Sequence, residues 1–562
     1  MGRTGSIAVA LLATLLVATG CTQGASEPLA PTADAEESAA AGASRPSPAE
    51  RLGLRTGWGP SRVELDRAAR LVDRLTLPEL AGQVIVADWR GTGAPTAMVR
   101  RLHLGGVIAF SQNVTSTSQV RQVNARLRRT ADREWPLFLA VDQEGGIVQR
   151  VRGDATQFPA FMSAGAADRP GVTRLAARTS GAELSGLGFT VDFAPDADVT
   201  SGPGDPTIGS RSAGSDPRLV AEQVLAAAEG YLQAGVVPVV KHFPGHGSVP
   251  ADSHLRLPVQ TRSLPELRRV DLAPFRAAVE AGLPAVMVGH LDVRSVDPRV
   301  PSSLSRRVVT GLLRHDLGFE GLVVTDSLAM AAVSRRGSAR VTVQALRAGN
   351  DVALMPDDPA AARAGLVRAV RSGVLTRSRL EQAAARQVAL LLHQRGREGA
   401  ATGSGRVVSR ALSSAAVTVV AGPCRGPLLR GRPVPIGDPA AVAAFRAAAG
   451  AAGLTLGRVV YRKPPMPKGK KKIRQWRRLD PTPVYHGVPV GFAGYRDSAP
   501  AAEVLVATDA PYVLGTSTAS VRIATYGDSP GAMGALVAVL QGRRRAPGRL
   551  PVEVAGVPRT GC

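Results

Sequence analysis

Between about residues 60 and 395, short apolar runs rich in β-branched residues alternate with longer stretches in which alanine, leucine and arginine recur at helical spacing. Continuous apolar strands that alternate with amphipathic helices are typical of a parallel sheet covered by helices. Eight such units predict a closed (β/α)₈ TIM barrel over residues 61–395. The eight runs lie at residues 83–87, 106–110, 137–141, 190–193, 236–240, 285–288, 322–325 and 351–354.

A second, smaller unit is predicted after the barrel. Residues 396–406 are rich in glycine and read as a linker, and residues 407–562 predict an α/β sandwich domain. Its expected strands are 415–421, 503–507 and 521–526, and its expected helices are 439–452 and 530–540. The glycines of this unit do not form a phosphate-binding loop, so a nucleotide-binding role has little support.

The amino-terminal segment predicts export and attachment to a membrane. An apolar run at residues 7–18 follows Arg3, is too short to span a bilayer, and leads into Ala18-Thr19-Gly20-Cys21. This resembles a bacterial lipoprotein signal, in which Cys21 becomes the lipidated first residue of an extracytoplasmic protein; an ordinary secretory signal cleaved nearby is the alternative. Residues 22–60 consist mainly of Ala, Ser, Pro, Glu and Gly and predict a flexible tether.

Two cysteines remain once Cys21 is lipidated. Cys424 and Cys562 both lie in the second unit, and an oxidising compartment would permit them to pair. We expect a disulfide between them, with two free thiols as the alternative.

The composition is that of a globular and strongly basic protein. The chain has 562 residues, of which 44% are hydrophobic, and a formal net charge of +24. A dense part of this charge lies at residues 462–478, which include Lys470-Lys471-Lys472 and Trp476. For an exported protein, nucleic acid is a poor candidate partner, whereas anionic cell-wall polymers or lipid headgroups are available. A solvated loop without a specific partner is the other interpretation.

Candidate chemistry gathers where the predicted strands end. Barrel enzymes build their sites at the carboxyl ends of their strands, so the polar residues there predict a polar pocket. Apart from the run at 463–472, Lys241 is the one lysine of the chain, and three histidines and an aspartate follow it closely. The polar residues after the strands are Asp88, Ser111, Asp142, Asp196, Lys241 with His242, His290 and Asp326.

Four motifs in order resemble glycoside hydrolase family 3, in particular its β-N-acetylhexosaminidase branch. They are Asp-Gln-Glu-Gly-Gly-Ile-Val-Gln-Arg at 142–150, Ile-Gly-Ser-Arg-Ser at 208–212, Lys-His-Phe-Pro-Gly-His-Gly to Asp-Ser-His at 241–254, and Gly-Leu-Val-Val-Thr-Asp-Ser-Leu-Ala-Met at 321–330. Residues 523–554 resemble the carboxyl-terminal domain of the family. The resemblance implies an exo-acting, retaining hydrolase without a cofactor that releases terminal N-acetylglucosamine (GlcNAc) from peptidoglycan fragments.

The same resemblance assigns roles residue by residue. It implies that Asp326 is the nucleophile and that His254, on a loop and paired with Asp252, is the general acid and base. His246 is interpreted as structural. Two departures from the family pattern, Ile147 and Ala213, bear on the leaving group rather than on catalysis. The residues implied to bind the sugar hydroxyls are Asp142, Arg150, Arg211, Lys241 and His242.

Other uses of these residues stay open at the level of sequence. A metal site built from His242, His246, Asp252 and His254 is disfavoured, because Pro244 and Gly245 interrupt the helical spacing of the first two histidines. A GlcNAc-releasing phosphorylase on the same scaffold is the alternative enzyme, since a histidine acid does not repel phosphate. A non-catalytic muropeptide-binding lipoprotein would be expected to lack Asp326 or His254, and the motif at 241–254 disfavours a β-glucosidase.

Overall fold

The computed structural model describes residues 45–394, 399–423, 425–463, 465–468, 471–472, 476, 480–494 and 497–560. The predicted lipidation of Cys21 and the predicted pairing of Cys424 with Cys562 concern residues outside these ranges and stay predictions. The chain divides into Met1–Pro46 and one compact unit, Ser47–Cys562, which contains all the hydrophobic cores of the described residues. Across the ranges described, none of the helices combines the length and the apolar character needed to cross a bilayer.

Eight parallel strands close into a barrel, which confirms the predicted fold class. Each strand pairs with the next in chain order, and the first pairs with the eighth. A bridge between Val324 and Val352 joins the seventh strand to the eighth and completes the ring. The strands are Ile85–Ala87, Gly106–Ala109, Phe138–Val141, Val191–Asp192, Val237–Pro238 continuing as Val240–Phe243, Ala285–Val288, Leu322–Thr325 and Ala353–Leu354.

Helices cover the outside of the barrel. The helix Pro217–Gln233 shows why: Asp216 caps its first turn, and its buried Val220, Val224 and Ala228 recur every four residues, so that one face packs on the strands. Arg307–Asp316 is a π-helix. The α-helices of the barrel region are Pro48–Arg51, Arg62–Asp73, Leu77–Gln83, Thr96–Leu102, Thr117–Thr130, Met162–Ala167, Pro170–Leu187, Pro217–Gln233, Leu264–Arg269, Ala273–Glu280, Ser338–Ala348, Pro359–Arg371 and Arg377–His393.

The folded part begins earlier than the sequence predicted. Residues 47–60 were expected to belong to the tether, but Ser47 caps the helix Pro48–Arg51, and Ala49, Leu54 and Trp58 are buried in the barrel core. The apolar residues of this stretch are too widely spaced among polar ones to show a period, which is why the pattern did not reveal them. The tether prediction is therefore wrong for residues 47–60.

The described part of the predicted linker is packed against the barrel. The Ala400 N–H donates to the Ala182 carbonyl at 2.7 Å, and the Gly405 N–H donates to Glu183 Oε1 at 2.9 Å. The helix Arg406–Ala416 follows directly. Residues 399–405 thus fix the second domain to the barrel instead of forming a loose joint.

The second domain is an α/β sandwich, as predicted, around a five-stranded sheet. In spatial order its strands are Thr418–Ala421, Val521–Ala524, Val504–Ala507, Val488–Ala493 and Pro433–Gly437, the first antiparallel to its neighbour and the others parallel. The sequence missed the last two, because proline and glycine within them are depleted in strands. The predicted strand at 415–421 starts only at Thr418, since the preceding helix ends at Ala416. Its described residues include the helices Arg406–Ala416, Pro439–Ala451 and Pro530–Leu540.

A buried carboxylate, Asp351, organises the amino-terminal end of the barrel, remote from the strand ends where the polar residues gather. Its oxygens accept from Arg314 at 2.5 Å, Arg379 at 3.1 Å, Arg386 at 3.3 Å and the Val323 N–H at 3.0 Å. Burial opposes its ionisation, but the three guanidinium groups outweigh burial and hold the pKa of Asp351 below its ordinary value.

We expect Asp351→Asn to lower the free energy of unfolding by about 3–5 kcal/mol, because three buried guanidinium groups would lose their counter-charge. The matched control is Asp316→Asn, which removes an exposed partner of Arg268 and should cost at most about 1 kcal/mol. Denaturant unfolding of both variants measures the difference. Equal losses in the two variants would contradict the role given to Asp351.

Candidate active site

A cavity lies at the carboxyl ends of the barrel strands and collects the predicted site residues. Asp252 contacts the cavity only through His254, and Asp88 and Ser111 are not among the lining residues. The predicted site residues that do line it are Asp142, Arg150, Arg211, Lys241, His242, His254 and Asp326. The remaining polar lining comes from Glu144, Thr207, His246, Ser253 and Ser327.

Asp326 follows the seventh strand directly and is held by the backbone on both sides. Its N–H donates to the Val288 carbonyl of the neighbouring strand at 2.8 Å, and its Oδ1 accepts the Ser327 N–H at 2.7 Å. Burial opposes ionisation, but nearby histidines and the Ser327 N–H outweigh it and hold the pKa of Asp326 below its ordinary value. The side chain is therefore a fixed, ionised carboxylate in a polar cavity.

His290 supports this position from behind and does not line the cavity. It is fully buried, with Nε2 at 2.9 Å from the Ser327 carbonyl and Nδ1 at 2.7 Å from Ser303 Oγ. Because a carbonyl only accepts, Nε2 carries the hydrogen and Nδ1 accepts from the Ser303 hydroxyl. His290 thus fixes the peptide that follows Asp326.

Lys241 and Arg211 share a buried carboxylate, Glu144, which lies in the motif at 142–150 but is not one of the predicted site residues. Lys241 Nζ lies 2.8 Å from Asp142 Oδ1 and 2.6 Å from Glu144 Oε1. Arg211 donates to both Glu144 oxygens at 2.8 Å. Burial opposes the charge of Glu144, but the two cations outweigh burial and hold its pKa well below the ordinary value. Glu144 therefore orients both cations.

The fifth strand extends further than predicted, through Phe243, so Lys241 and His242 lie within the strand and not after it. A tight two-stranded ribbon, Gln143–Gly145 with Val148–Gln149, brings Glu144 to them. Its turn requires glycine at Gly146, which has φ +56°, and an added Cβ there would lie 2.6 Å from the Ala160 Cβ. The motif at 142–150 is thus explained by this turn and its carboxylates.

Arg150 follows the ribbon and faces the same cavity. Its guanidinium stacks 5.3 Å from the centre of the Phe110 ring and lies 3.9 Å from Asp142 Oδ2.

The two residues that depart from the family pattern differ in their environment, since Ile147 is 58% exposed at the ribbon turn and Ala213 is fully buried. Neither is among the lining residues of the cavity.

His242 is oriented by Asp198, a residue that sequence reasoning missed. Asp198 Oδ2 lies 2.7 Å from His242 Nδ1, and Asp198 Oδ1 accepts the His246 N–H at 2.5 Å. Arg211 Nη2 lies 3.4 Å from His242 Nε2. Because a guanidinium only donates, Nε2 is the acceptor and Nδ1 carries the hydrogen toward Asp198. In the sequence, the one feature that could have indicated Asp198 is its position two residues after Asp196, which follows a predicted strand.

Burial dominates the titration of this group. It lowers the pKa of His242 to about 4 and raises the pKa of Asp198 to about 7. It also raises the pKa of Asp196 well above its ordinary value, with the neighbouring Asp198 charge adding to the effect. His242 is thus a neutral imidazole at neutral pH, and its Nε2 is an acceptor beside Arg211 at the edge of the cavity.

We expect Asp198→Asn to lower kcat/KM about tenfold, mainly through KM, because His242 and the His246 N–H use different oxygens of Asp198, and the amide replaces one of them with a donor. If Asp198 acts through His242, the same change should cost little in a His242→Ala background. A steady-state double-mutant cycle with a chromogenic substrate measures this. Losses that multiply in the double variant would show that the two residues act independently.

Among the described residues, one group has the spacing of a metal site: Asp196, Asp198 and His242, with ligand atoms within 4.8 Å of one another. Arg211 already places its positive charge 3.5 Å from Asp196, and the His242 imidazole is hydrogen-bonded to Asp198. The metal site considered from the sequence consisted of His242, His246, Asp252 and His254. Only His242 belongs to both groups. The donors fit an internally neutralised network better than a cation site.

His246 lines the cavity with its ring turned toward the protein. Its Nε2 lies 3.0 Å from Ser253 Oγ, and burial lowers its pKa to about 4. These contacts join the segment after the fifth strand to the loop that carries His254, which agrees with a structural role.

His254 and Asp252 form the expected pair on an irregular loop. His254 Nδ1 lies 2.7 Å from Asp252 Oδ1, which also accepts the His254 N–H at 2.9 Å. Burial opposes the charge of Asp252, but these donors outweigh it and lower its pKa. The His254 side chain is 62% exposed, so its other nitrogen is accessible from solvent while the ring borders the cavity.

The described residues of the second domain support the site without lining it. Ser210, next to Arg211, donates its hydroxyl to Asp509, and the Ser215 N–H donates to the Pro551 carbonyl at 3.1 Å. The Ala160 N–H, beside the ribbon turn, donates to the Tyr526 carbonyl at 2.8 Å. Both segments that carry Arg211 and Glu144 are therefore fixed from the second domain.

Comparison with protein families gives a match to "Glycosyl hydrolase family 3 N terminal domain" at residues 76–390. β-Hexosaminidase A of Pseudoalteromonas piscicida is 37% identical over 280 residues, and the chain spans about half of that relative, 47%. A β-hexosaminidase of Pseudomonas aeruginosa is 37% identical over 295 residues, which cover 52% of this chain and 86% of that protein.

Solved structures are similar over a larger part of the chain. A family 3 β-N-acetylglucosaminidase from Paenibacillus sp. is 29% identical with a TM-score of 0.74, covering 86% of this chain and 99% of that one. LpqI of M. tuberculosis is 35% identical with a TM-score of 0.53, covering 56% of this chain and 94% of that one. The β-glucoside phosphorylase BglX, with 18% identity and a TM-score of 0.74, shares the fold.

Proposed function

Since the chain belongs to glycosyl hydrolase family 3 and is a glycoside hydrolase, we propose that it is an exo-acting, retaining β-N-acetylglucosaminidase that releases terminal GlcNAc from peptidoglycan fragments. The β-hexosaminidase relatives and the β-N-acetylglucosaminidase structure support the choice of sugar. The observation that carries the proposal is the cavity itself, which Asp326 and the His254 imidazole line together with a buried set of charged hydrogen-bonding groups.

The sugar is held by the charged groups of the cavity. Asp142 and Lys241 are already paired at 2.8 Å, and Arg211, Arg150 and His242 border the same space. Hydrogen bonds that involve a charged partner are the stronger kind, and they suit the hydroxyls of a pyranose. Because Glu144 and Asp198 hold these groups in place, little ordering remains to be done when the sugar binds.

The first chemical step is a displacement at the anomeric carbon. A carboxylate oxygen of Asp326 attacks this carbon, the bond to the leaving-group oxygen breaks, and the His254 imidazolium gives that oxygen its proton. The product is a glycosyl ester of Asp326 and a free alcohol. Asp252 keeps the His254 ring in one orientation through its contact with Nδ1.

The second step returns the enzyme to its starting state. Neutral His254 takes a proton from water, the water oxygen attacks the anomeric carbon, and the bond to Asp326 breaks. Two inversions at one carbon leave GlcNAc with the β-configuration. No cofactor takes part in this scheme.

We also propose that the protein acts outside the cytoplasm and is held at the membrane by lipid on Cys21. The basis is the sequence Arg3, the apolar run at 7–18 and the Ala-Thr-Gly-Cys end of that run. Peptidoglycan fragments are accessible in that compartment. Labelling of the expressed full chain with a radioactive fatty acid, compared with its Cys21→Ser variant, tests the anchor.

The activity is tested with a chromogenic β-GlcNAc glycoside, the matched β-glucoside and a set of muropeptides. We expect hydrolysis of the first, little of the second, and free GlcNAc from muropeptides whose terminal residue is GlcNAc. Proton NMR during turnover should show the β-anomer of GlcNAc first. Equal cleavage of the glucoside, the α-anomer first, or sugar 1-phosphate when phosphate is added would each contradict the proposal.

A further inference from the structure

A separate two-stranded sheet extends from the second domain. Arg458–Arg462 pairs antiparallel with Thr482–His486, and this pair forms a sheet of its own. We call these two strands, together with the described residues 463, 465–468, 471–472 and 476 between them, the basic ribbon. None of its described residues is fully buried or belongs to a hydrophobic core.

Apolar side chains remain exposed on the basic ribbon. Tyr461 is 65% exposed, Met466 63% and Val484 37%. Val460 pairs with Val484, and since directly paired residues share a face of an antiparallel sheet, Arg458 and Arg462 flank this valine pair on the same face. Val484 is exposed and Val460 is half-buried, so this row of cation, apolar pair and cation lies at the surface and outside the cores of the described residues.

The charge of the basic ribbon is strongly one-sided. Residues 458–486 contain ten lysines and arginines and a single acidic residue, Asp480. The described and exposed cations among them include Arg458, Arg462, Lys468, Lys471 and Lys472. A surface that concentrates positive charge is complementary to a polyanion.

We propose that the basic ribbon docks on an anionic lipid surface. The exposed Tyr461 and Met466 favour a bilayer over a soluble polyanion, because aromatic and other apolar side chains gain stability at the interface between headgroups and acyl chains, whereas a soluble polymer would use the cations alone. Each lysine or arginine near an anionic bilayer strengthens binding by about fivefold. The ribbon lies outside the catalytic cavity, so the proposal does not depend on the proposed function.

The test uses residues 22–562, which retain the whole compact unit and carry neither the signal segment nor a lipid. Sedimentation with phosphatidylcholine vesicles, with and without phosphatidylglycerol, measures the partition coefficient at low and high salt. We expect binding to the anionic vesicles, release by salt, and at least about tenfold weaker binding when Arg458, Arg462, Lys468, Lys471 and Lys472 are all changed to Gln. A second variant, Tyr461→Ser with Met466→Ser, should also bind more weakly.

The matched control removes five exposed arginines from the barrel helices by the changes Arg67→Gln, Arg70→Gln, Arg126→Gln, Arg129→Gln and Arg276→Gln. This control has the same net charge as the ribbon variant with five substitutions. Its partition coefficient should stay within about twofold of that of the unchanged chain. All variants should keep their activity on a soluble substrate, which shows that they are folded.

Three results would overturn the proposal. One is the absence of a preference for anionic vesicles. Another is an equal loss in the control, which would make the total charge responsible. The third is soluble polyglycerol phosphate binding as tightly as vesicles while the Tyr461 and Met466 changes have no effect, which would assign the ribbon to a polyanion in solution.

Discussion

Asp326→Asn should lower kcat on the order of 10⁴-fold to 10⁶-fold, because the amide keeps the shape of the side chain but is a poor nucleophile. The Asp326 N–H donates to the Val288 carbonyl, and its side-chain Oδ1 accepts the Ser327 N–H; an amide at this position can keep both contacts. We therefore expect the fold and the binding of free GlcNAc to persist. Turnover of a chromogenic GlcNAc glycoside and calorimetric binding of GlcNAc measure the two effects.

The matched control is Asp88→Asn, the same change at the end of the first strand. Asp88 follows its strand as Asp326 does but is not among the lining residues of the cavity, so its substitution should leave kcat within about twofold. The lowered pKa of Asp326 also means that the carboxylate is ionised throughout the neutral range. Near-normal activity of Asp326→Asn would remove this residue from its role.

His254→Ala should lower kcat/KM by about 10²-fold to 10⁴-fold for substrates with a poor leaving group, the usual contribution of general acid–base catalysis. The loss should shrink when the leaving group is a nitrophenol, because a good leaving group departs without a proton. The exposed position of His254 beside the cavity suits this exchange, since both water and the leaving oxygen can reach the ring. Steady-state kinetics on a series of aryl GlcNAc glycosides measures the dependence.

His315→Ala, an exposed histidine on the outer π-helix, provides the control and should change neither constant. A loss that is the same for good and poor leaving groups would argue that His254 positions the sugar and does not transfer a proton. Asp252→Asn should also lower kcat/KM, as His254→Ala does, since Asp252 Oδ1 lies 2.7 Å from the His254 ring nitrogen Nδ1.

The barrel could be predicted because its strands are buried on both faces and are therefore continuously apolar. The seventh strand, Leu322–Thr325, is a typical case: its residues are all buried, and Asp326 marks its end. The second domain was predicted less completely. Its strands Pro433–Gly437 and Val488–Ala493 contain residues that disfavour strands, and pairing within the sheet overrides that preference.

The residues that line the cavity could be predicted where each stands alone at a strand end or in a motif, while their roles stay predictions. Their partners could not be predicted, because contacts between distant segments leave no spacing in the sequence. Glu144 neutralises Arg211 and Lys241, which are 67 and 97 residues further along the chain. Asp198 meets His242 through the close approach of two barrel strands. The burial of Trp58 in the barrel core could not be predicted either, because Gly57 and Gly59 beside it give no apolar period.

The central claim is that the reaction passes through a glycosyl ester of Asp326, and trapping that ester tests it most directly. A fluorinated GlcNAc substrate that slows the second step should label the protein with one sugar, and mass spectrometry of the peptides should place that sugar on Asp326. Label on another residue, or continued turnover with inversion and without any covalent adduct, would contradict the account.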